Sequence, residues 1–123
     1  VQDSLDWLRN VRGLKPDRLF MIGHSMGALF AVGTGKLTPK PAAVALFAPA
    51  VTNVPQDLDG VPIFMAVGKQ ETTMMRSFVD KLQKELRSRR GSVLKEYDPA
   101  EHLMVVPNGT KDAFTFFDQV RRP

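Results

Sequence analysis

Three short apolar runs punctuate this chain, Leu19–Ile22, Ala42–Ala48 and Val61–Val67, and Val93–Tyr97 reads as a fourth strand. The second and third hold hardly any polar residue, which is how a parallel strand covered on both faces reads. The stretches between them carry apolar residues every three or four positions. Val1, Leu5, Leu8 and Val11, with Trp7 alongside, predict a helix over Val1–Arg12, with Gly13 as its C-cap and Pro16 as a stop. A second helix is expected from Ser25 to about Leu37, where Gly27, Ala28 and Ala31 are small enough to let it approach a sheet. Met75, Phe78, Val79, Leu82 and Leu86 form one stripe on a third helix, Thr72–Arg89. Pro107 and Asn108-Gly109 make 99–109 a loop, followed by a helix over Thr110–Arg121 that buries Ala113, Phe116, Phe117 and Val120.

The order α-β-α-β-loop-β-α-β-α predicts an α/β fold with three layers, α/β/α, around a short parallel sheet of about four strands. Such sheets bind ligands beyond the C-terminal ends of their strands. Ser25 follows the first strand, Glu71 the third and His102 the fourth, so all three fall on that edge, in loops.

Composition narrows the classes. At 123 residues and 43% hydrophobic content, the chain is expected to form one domain. No apolar run is long enough to span a membrane, and the start shows no signal-peptide pattern, so no leader is expected in this chain. There are no cysteines, which excludes disulfides, thiol catalysis and Cys-ligated metals. The net charge of +4 is concentrated in Lys81, Lys84, Arg87, Arg89, Arg90, Arg121 and Arg122. Without a nucleic-acid motif, these read as solvated helix ends that complement the macrodipole. No metal-ligand cluster and no phosphate loop appears, so neither metal nor cofactor is expected.

Gly23-His24-Ser25-Met26-Gly27 is a G-x-S-x-G pentapeptide at a strand-to-helix junction. It would arise by chance in roughly 4% of chains this long, so its context has to carry the argument. In a nucleophile elbow the serine sits on a strained turn with its hydroxyl above the sheet, and the N–H of the next residue, here Met26, donates to an oxyanion. Gly23 and Gly27 are expected to be glycine because side chains there would meet neighbouring backbone. The plain alternative is a crossover with Ser25 as a helix N-cap.

A serine hydroxyl needs a base in contact, itself oriented by a third group. His24 adjoins Ser25 on the elbow and is expected to project away from the hydroxyl, which leaves His102 as the base. Glu71, three residues beyond Gly68 at a strand end, is the best-placed acid. Asp98 and Glu101 lie very near His102 in sequence, and Asp57 and Asp59 approach from the wrong end of the sheet.

The order Ser25…Glu71…His102 is that of the α/β-hydrolase triad. Gly23–Ala28 resembles the elbow of α/β-hydrolase esterases and lipases, and Gly68-Lys69-Gln70-Glu71 sits where that family carries its acid. Ala100-Glu101-His102 sits at its histidine loop, and the stretch through Phe116-Phe117-Asp118 resembles the C-terminus of prolyl-oligopeptidase-like and dienelactone-hydrolase-like esterases. The resemblance covers essentially the whole chain but only the C-terminal half of the family fold. It implies a single domain over residues 1–123 without the N-terminal strands and without a cap domain. With those strands would go the loop that gives the second oxyanion N–H, a loss of about 2.7–4 kcal/mol. The acid is Glu where Asp is commoner, and the Thr52–Gly60 loop is short for a cap, which implies an open site.

The implied function is a serine esterase of the carboxylesterase type, acting on small or medium acyl esters with Ser25, Glu71 and His102. Peptidase, thioesterase and lactonase chemistry uses the same parts. The competing expectation is a non-catalytic half-domain that keeps the fold. Either way, the elbow strand would lie at a sheet edge, and a homo-oligomer covering that edge is expected.

Overall fold

The structure, a computed structural model, describes residues 1–14 and 18–121. Pro16 and Arg122, to which the sequence assigned a helix stop and a place in the basic cluster, lie outside the described residues. The elements are α1 (Gln2–Asn10), β1 (Phe20–His24), α2 (Gly27–Val32), β2 (Ala43–Phe47), β3 (Ile63–Gly68), α3 (Thr73–Arg87), β4 (Val93–Tyr97) and α4 (Val105–Arg121). Single 3₁₀ turns cover Gly33–Lys36 and Gln56–Leu58. The four strands are all parallel, in the order β1-β2-β3-β4.

Alternation along the two central strands builds two cores. Val44, Leu46, Ile63, Met65 and Val67 face α2 and α3, packing on Ala28, Ala31, Val79 and Leu82. Ala43, Ala45, Phe47, Phe64 and Ala66 face α4, packing on Ala113, Phe116 and Phe117. Both faces of β2 and β3 are buried throughout, so the unbroken apolar runs were the right signal. The α/β/α architecture with a four-stranded parallel sheet is therefore as the sequence predicted. β1 pairs with β2 alone and forms one edge of the described sheet.

Two elements differ from expectation, α4 and α2. α4 starts at Val105 rather than Thr110. Pro107 falls in its first turn, where no intrahelical N–H is needed. Gly109 is a packing glycine: a Cβ there would lie 2.8 Å from the Phe47 ring. The second helix ends at Val32 and tightens into a 3₁₀ turn, where the Thr34 hydroxyl donates to the Ala31 carbonyl (2.7 Å). Gly35 presses against Asp57, with no room for a Cβ. On α1 only Leu5 is buried, and Val1, Trp7 and Val11 stay exposed. The Arg12 guanidinium lies 6.0 Å from the Trp7 ring centre.

Lys81, Lys84, Arg87 and Arg121 are exposed on helix surfaces. Arg89 is different, since its guanidinium folds inward and donates to the Leu58 (2.7 Å) and Val61 (3.3 Å) carbonyls.

Candidate active site

Ser25 occupies the turn between β1 and α2 with φ +58°, a left-handed backbone that a non-glycine residue rarely adopts. Two ties over-determine it. The Ser25 N–H donates to the Phe47 carbonyl at the end of β2 (2.9 Å), and the Ser25 carbonyl accepts from Ala50 (3.0 Å). Strain of this kind costs about 1–3 kcal/mol and persists where the surroundings enforce it. A Cβ on Gly23 would lie 2.6 Å from the Gly27 carbonyl oxygen, so glycine is required there by backbone approach. Gly27 departs from expectation: a Cβ there meets nothing within 4 Å. The turn crowds only its incoming strand. Among the described residues the Met26 N–H has no hydrogen-bond partner and is free to receive a negative oxygen.

His102 bridges the other two groups. Its Nε2 lies 2.8 Å from Ser25 Oγ, and its Nδ1 lies 2.7 Å from Glu71 Oε2. With Glu71 ionised, Nδ1 carries the proton and donates to the carboxylate, leaving Nε2 to accept from the serine hydroxyl. The Glu71 side chain is fully buried (0% exposed), and its other oxygen accepts from the Thr72 N–H (2.9 Å). His102 keeps 29% of its side chain exposed, so water reaches the ring.

Two loops are zipped together to hold this spacing. Lys69 N–H donates to the Tyr97 carbonyl (2.8 Å), and Gln70 N–H to the Ala100 carbonyl (3.0 Å). The Gln70 side chain accepts from the Ala100 N–H (2.7 Å) and donates to Asp98 (3.0 Å). Gln70 is thus a positioning residue that the sequence did not single out. Two of the competing acids have other work. The hydrogen bond from Gln70, and less so Lys69, holds the Asp98 carboxyl below its ordinary pKa. Glu101 accepts from the Leu103 and Met104 N–H groups, and these bonds lower its pKa. That turn is therefore supported above the ordinary carboxylate range, and the support is lost as pH falls through the lowered value. Asp59 lies 3.9 Å from Arg89, remote from the serine.

His24 does point away from the Ser25 hydroxyl, toward the histidine loop. Its Nε2–H donates to the His102 carbonyl (2.8 Å), and the two rings lie 4.8 Å apart. The residue before Ser25 thereby ties down the backbone of His102.

A cavity of about 630 Å³ opens at Ser25 and His102. Its walls are mainly Met26, Leu29, Met74, Met75 and Phe78, from the N-terminal ends of α2 and α3 and the residue before α2. Among the described residues no group of three or more His, Asp or Glu side chains could hold a metal, and no helix is long and apolar enough to cross a membrane. The arrangement can take a proton from a hydroxyl in contact with a buried-carboxylate-oriented imidazole, beside a free N–H donor and an apolar wall.

The family described as serine aminopeptidase, S33 matches residues 1–120. No curated protein matches the sequence. Among solved structures, the chain resembles an Arabidopsis thaliana SOBER1 variant at 16% identity and TM-score 0.67, covering 98% of this chain and 62% of that one. It resembles Zea mays acyl-protein thioesterase 2 at 16% identity and TM-score 0.61, covering 97% and 64%. A Pyrococcus furiosus esterase matches at 14% identity and TM-score 0.68, covering 97% and 59%. The chain thus spans about three fifths of the length of these three structures, and at such identities the likeness is one of fold.

Proposed function

The chain belongs to the serine aminopeptidase S33 family of α/β-hydrolases, and from that premise we propose that it is a serine hydrolase of the carboxylesterase type, cleaving acyl esters through a Ser25–His102–Glu71 triad. The observation that carries the reading is the unbroken hydrogen-bonded relay from Ser25 Oγ through His102 to the buried Glu71 carboxylate.

Ser25 Oγ attacks the ester carbonyl carbon as its proton passes to His102 Nε2. The carbonyl oxygen becomes an oxyanion beside the Met26 N–H. Glu71 stabilises the imidazolium and holds its orientation. The tetrahedral intermediate collapses, the C–O bond to the alcohol breaks, and His102 gives its proton to the departing oxygen. Water then attacks the acyl-serine, delivering a proton to His102, which returns it to Ser25 Oγ as the acid leaves. The apolar wall beside Ser25 favours esters with an apolar acyl part over charged peptides.

The test is covalent labelling by a fluorophosphonate, read by intact mass. One adduct per chain is expected, lost in Ser25→Ala. A folded chain that stays unlabelled would overturn the proposal. The labelling rate also reads the role of His24. His24→Phe keeps a ring but removes the donor to the His102 carbonyl, and a net hydrogen bond is worth about 0.5–1.5 kcal/mol. The rate should fall about two- to tenfold. His24→Gln, whose amide can reach the same carbonyl, should recover part of it. Equal rates in all three chains would remove His24 from the positioning of the base.

The open edge of β1 supports one further property. Its outer backbone groups have no partner among the described residues, and Ile22 is 47% exposed. We propose that a second copy covers this edge, making a homo-oligomer. Sedimentation velocity at micromolar concentration should show a dimer or larger species, and a monomer would refute it.

A further inference from the structure

The cavity at Ser25 has a neighbour. A second depression of about 360 Å³ runs beside Val32, Val51 and Pro55, and it shares Leu29, Ala50 and Phe78 with the first. Neither Ser25, Glu71 nor His102 borders it. The two spaces adjoin at Leu29, Ala50 and Phe78, and the second, whose wall also holds Thr52 and Asn53, lies beyond these residues from Ser25 and His102. Phe78 on α3 and Leu29 on α2 stand where the two spaces meet. Phe78 is half-buried on the α3 face that carries Met75, Val79 and Leu82.

Direction decides which part of an ester the cavity beside Ser25 suits. After the alcohol leaves, water must reach the acyl carbon from the His102 side. The part still bound to Ser25 must then extend away from His102, and the only part still bound is the acyl chain. The cavity beside Ser25, walled largely by apolar side chains, three of them flexible methionines, suits an unbranched alkyl tail.

Building on the hydrolase reading above, we propose that the substrate is an ester of a straight-chain carboxylic acid and that Phe78 sets the length of chain accepted. The chain lies along Met26, Leu29 and Met75 with its end against the Phe78 ring. Longer chains enter the second depression only by displacing that ring.

Carboxylic acid products test this without chemistry at Ser25. The Ser25→Ala chain would be titrated with straight-chain carboxylates from acetate to decanoate, followed by ¹H–¹⁵N chemical shifts. Affinity should rise by up to about fourfold per methylene and then level off where the chain meets Phe78. Ser25→Ala with Phe78→Ala should move that levelling-off to longer acids, and Ser25→Ala with Phe78→Trp should move it to shorter ones. Because the readout is a ratio of affinities within each variant, a partial loss of folded protein leaves it in place. No dependence on chain length, no binding, or the same levelling-off in all three chains would overturn the proposal. Since the titrated chains lack the nucleophile, that outcome is separate from a failure of fluorophosphonate labelling, which bears on the hydrolase reading alone.

Discussion

His102→Ala should lower kcat/KM for an activated ester by about 10⁴-fold or more, and adding Ser25→Ala should lower it little further. The two residues act as one unit: without the imidazole the hydroxyl keeps its proton, and without the hydroxyl the imidazole has nothing to activate. Glu71→Gln is the more revealing change. The Glu71 carboxylate accepts from two donors, His102 Nδ1–H on one oxygen and the Thr72 N–H on the other. A glutamine amide has only one acceptor. If its oxygen faces His102, its NH₂ meets the Thr72 N–H, donor against donor. If its NH₂ faces His102, it selects the tautomer protonated at Nε2, which cannot accept from Ser25. Either orientation is frustrated, so the loss should approach that of His102→Ala, with the far-UV circular dichroism unchanged. Steady-state kinetics of the three variants against the parent chain decide it. A Glu71→Gln chain within tenfold of the parent would mean that the acid does not set the tautomer.

The sheet, the elbow turn and the meeting of Ser25, Glu71 and His102 were legible because each left a local mark. The buried strands β2 and β3 read as continuous apolar runs, and Gly23–Gly27 sits where the half-buried apolar run of β1 stops. With two histidines in the chain, and one of them on the elbow itself, His102 was the remaining base. What was not legible depends on contacts between segments far apart in sequence. Gln70 bonds a loop some 30 residues away, and nothing near it in sequence marks that role. Pro107 and Gly109 were read as loop signals because those residue types usually are. A helix start beneath Phe47 uses both, one for its missing donor and one for its missing Cβ. The second helix was drawn too long because Gly35 answers to Asp57, a contact that helical periodicity does not express. Gly27 failed in the opposite sense, since the motif supplied a steric reason that the turn does not need.

Gly68→Ala should uncouple the site while leaving the sheet in place. Gly68 ends β3, and an added Cβ would run into the Ala100 carbonyl oxygen and lie 2.6 Å from its carbon. Both are backbone atoms, so no side chain can swing aside to relieve the contact. The Ala100 carbonyl accepts from Gln70 N–H, and the Ala100 N–H donates to the Gln70 side chain. Relief therefore has to come from moving the loop that carries His102 away from the loop that carries Glu71. A displacement of about 1 Å at a reacting group can cost 10²-fold in rate. Fluorophosphonate labelling of Gly68→Ala should slow by at least about that factor, with the far-UV spectrum kept. Gly27→Ala is the contrast: its Cβ enters open space, and labelling should stay within about twofold of the parent. If Gly68→Ala labels at the parent rate, the two loops yield without parting the triad, and the approach of β3 to Ala100 is packing alone. If both variants fail, the elbow is less tolerant than its geometry implies. Loss at Gly68 with retention at Gly27 would locate the control of the Glu71–His102 distance in the backbone zipper between the loops, in the residues that just precede Glu71 and His102.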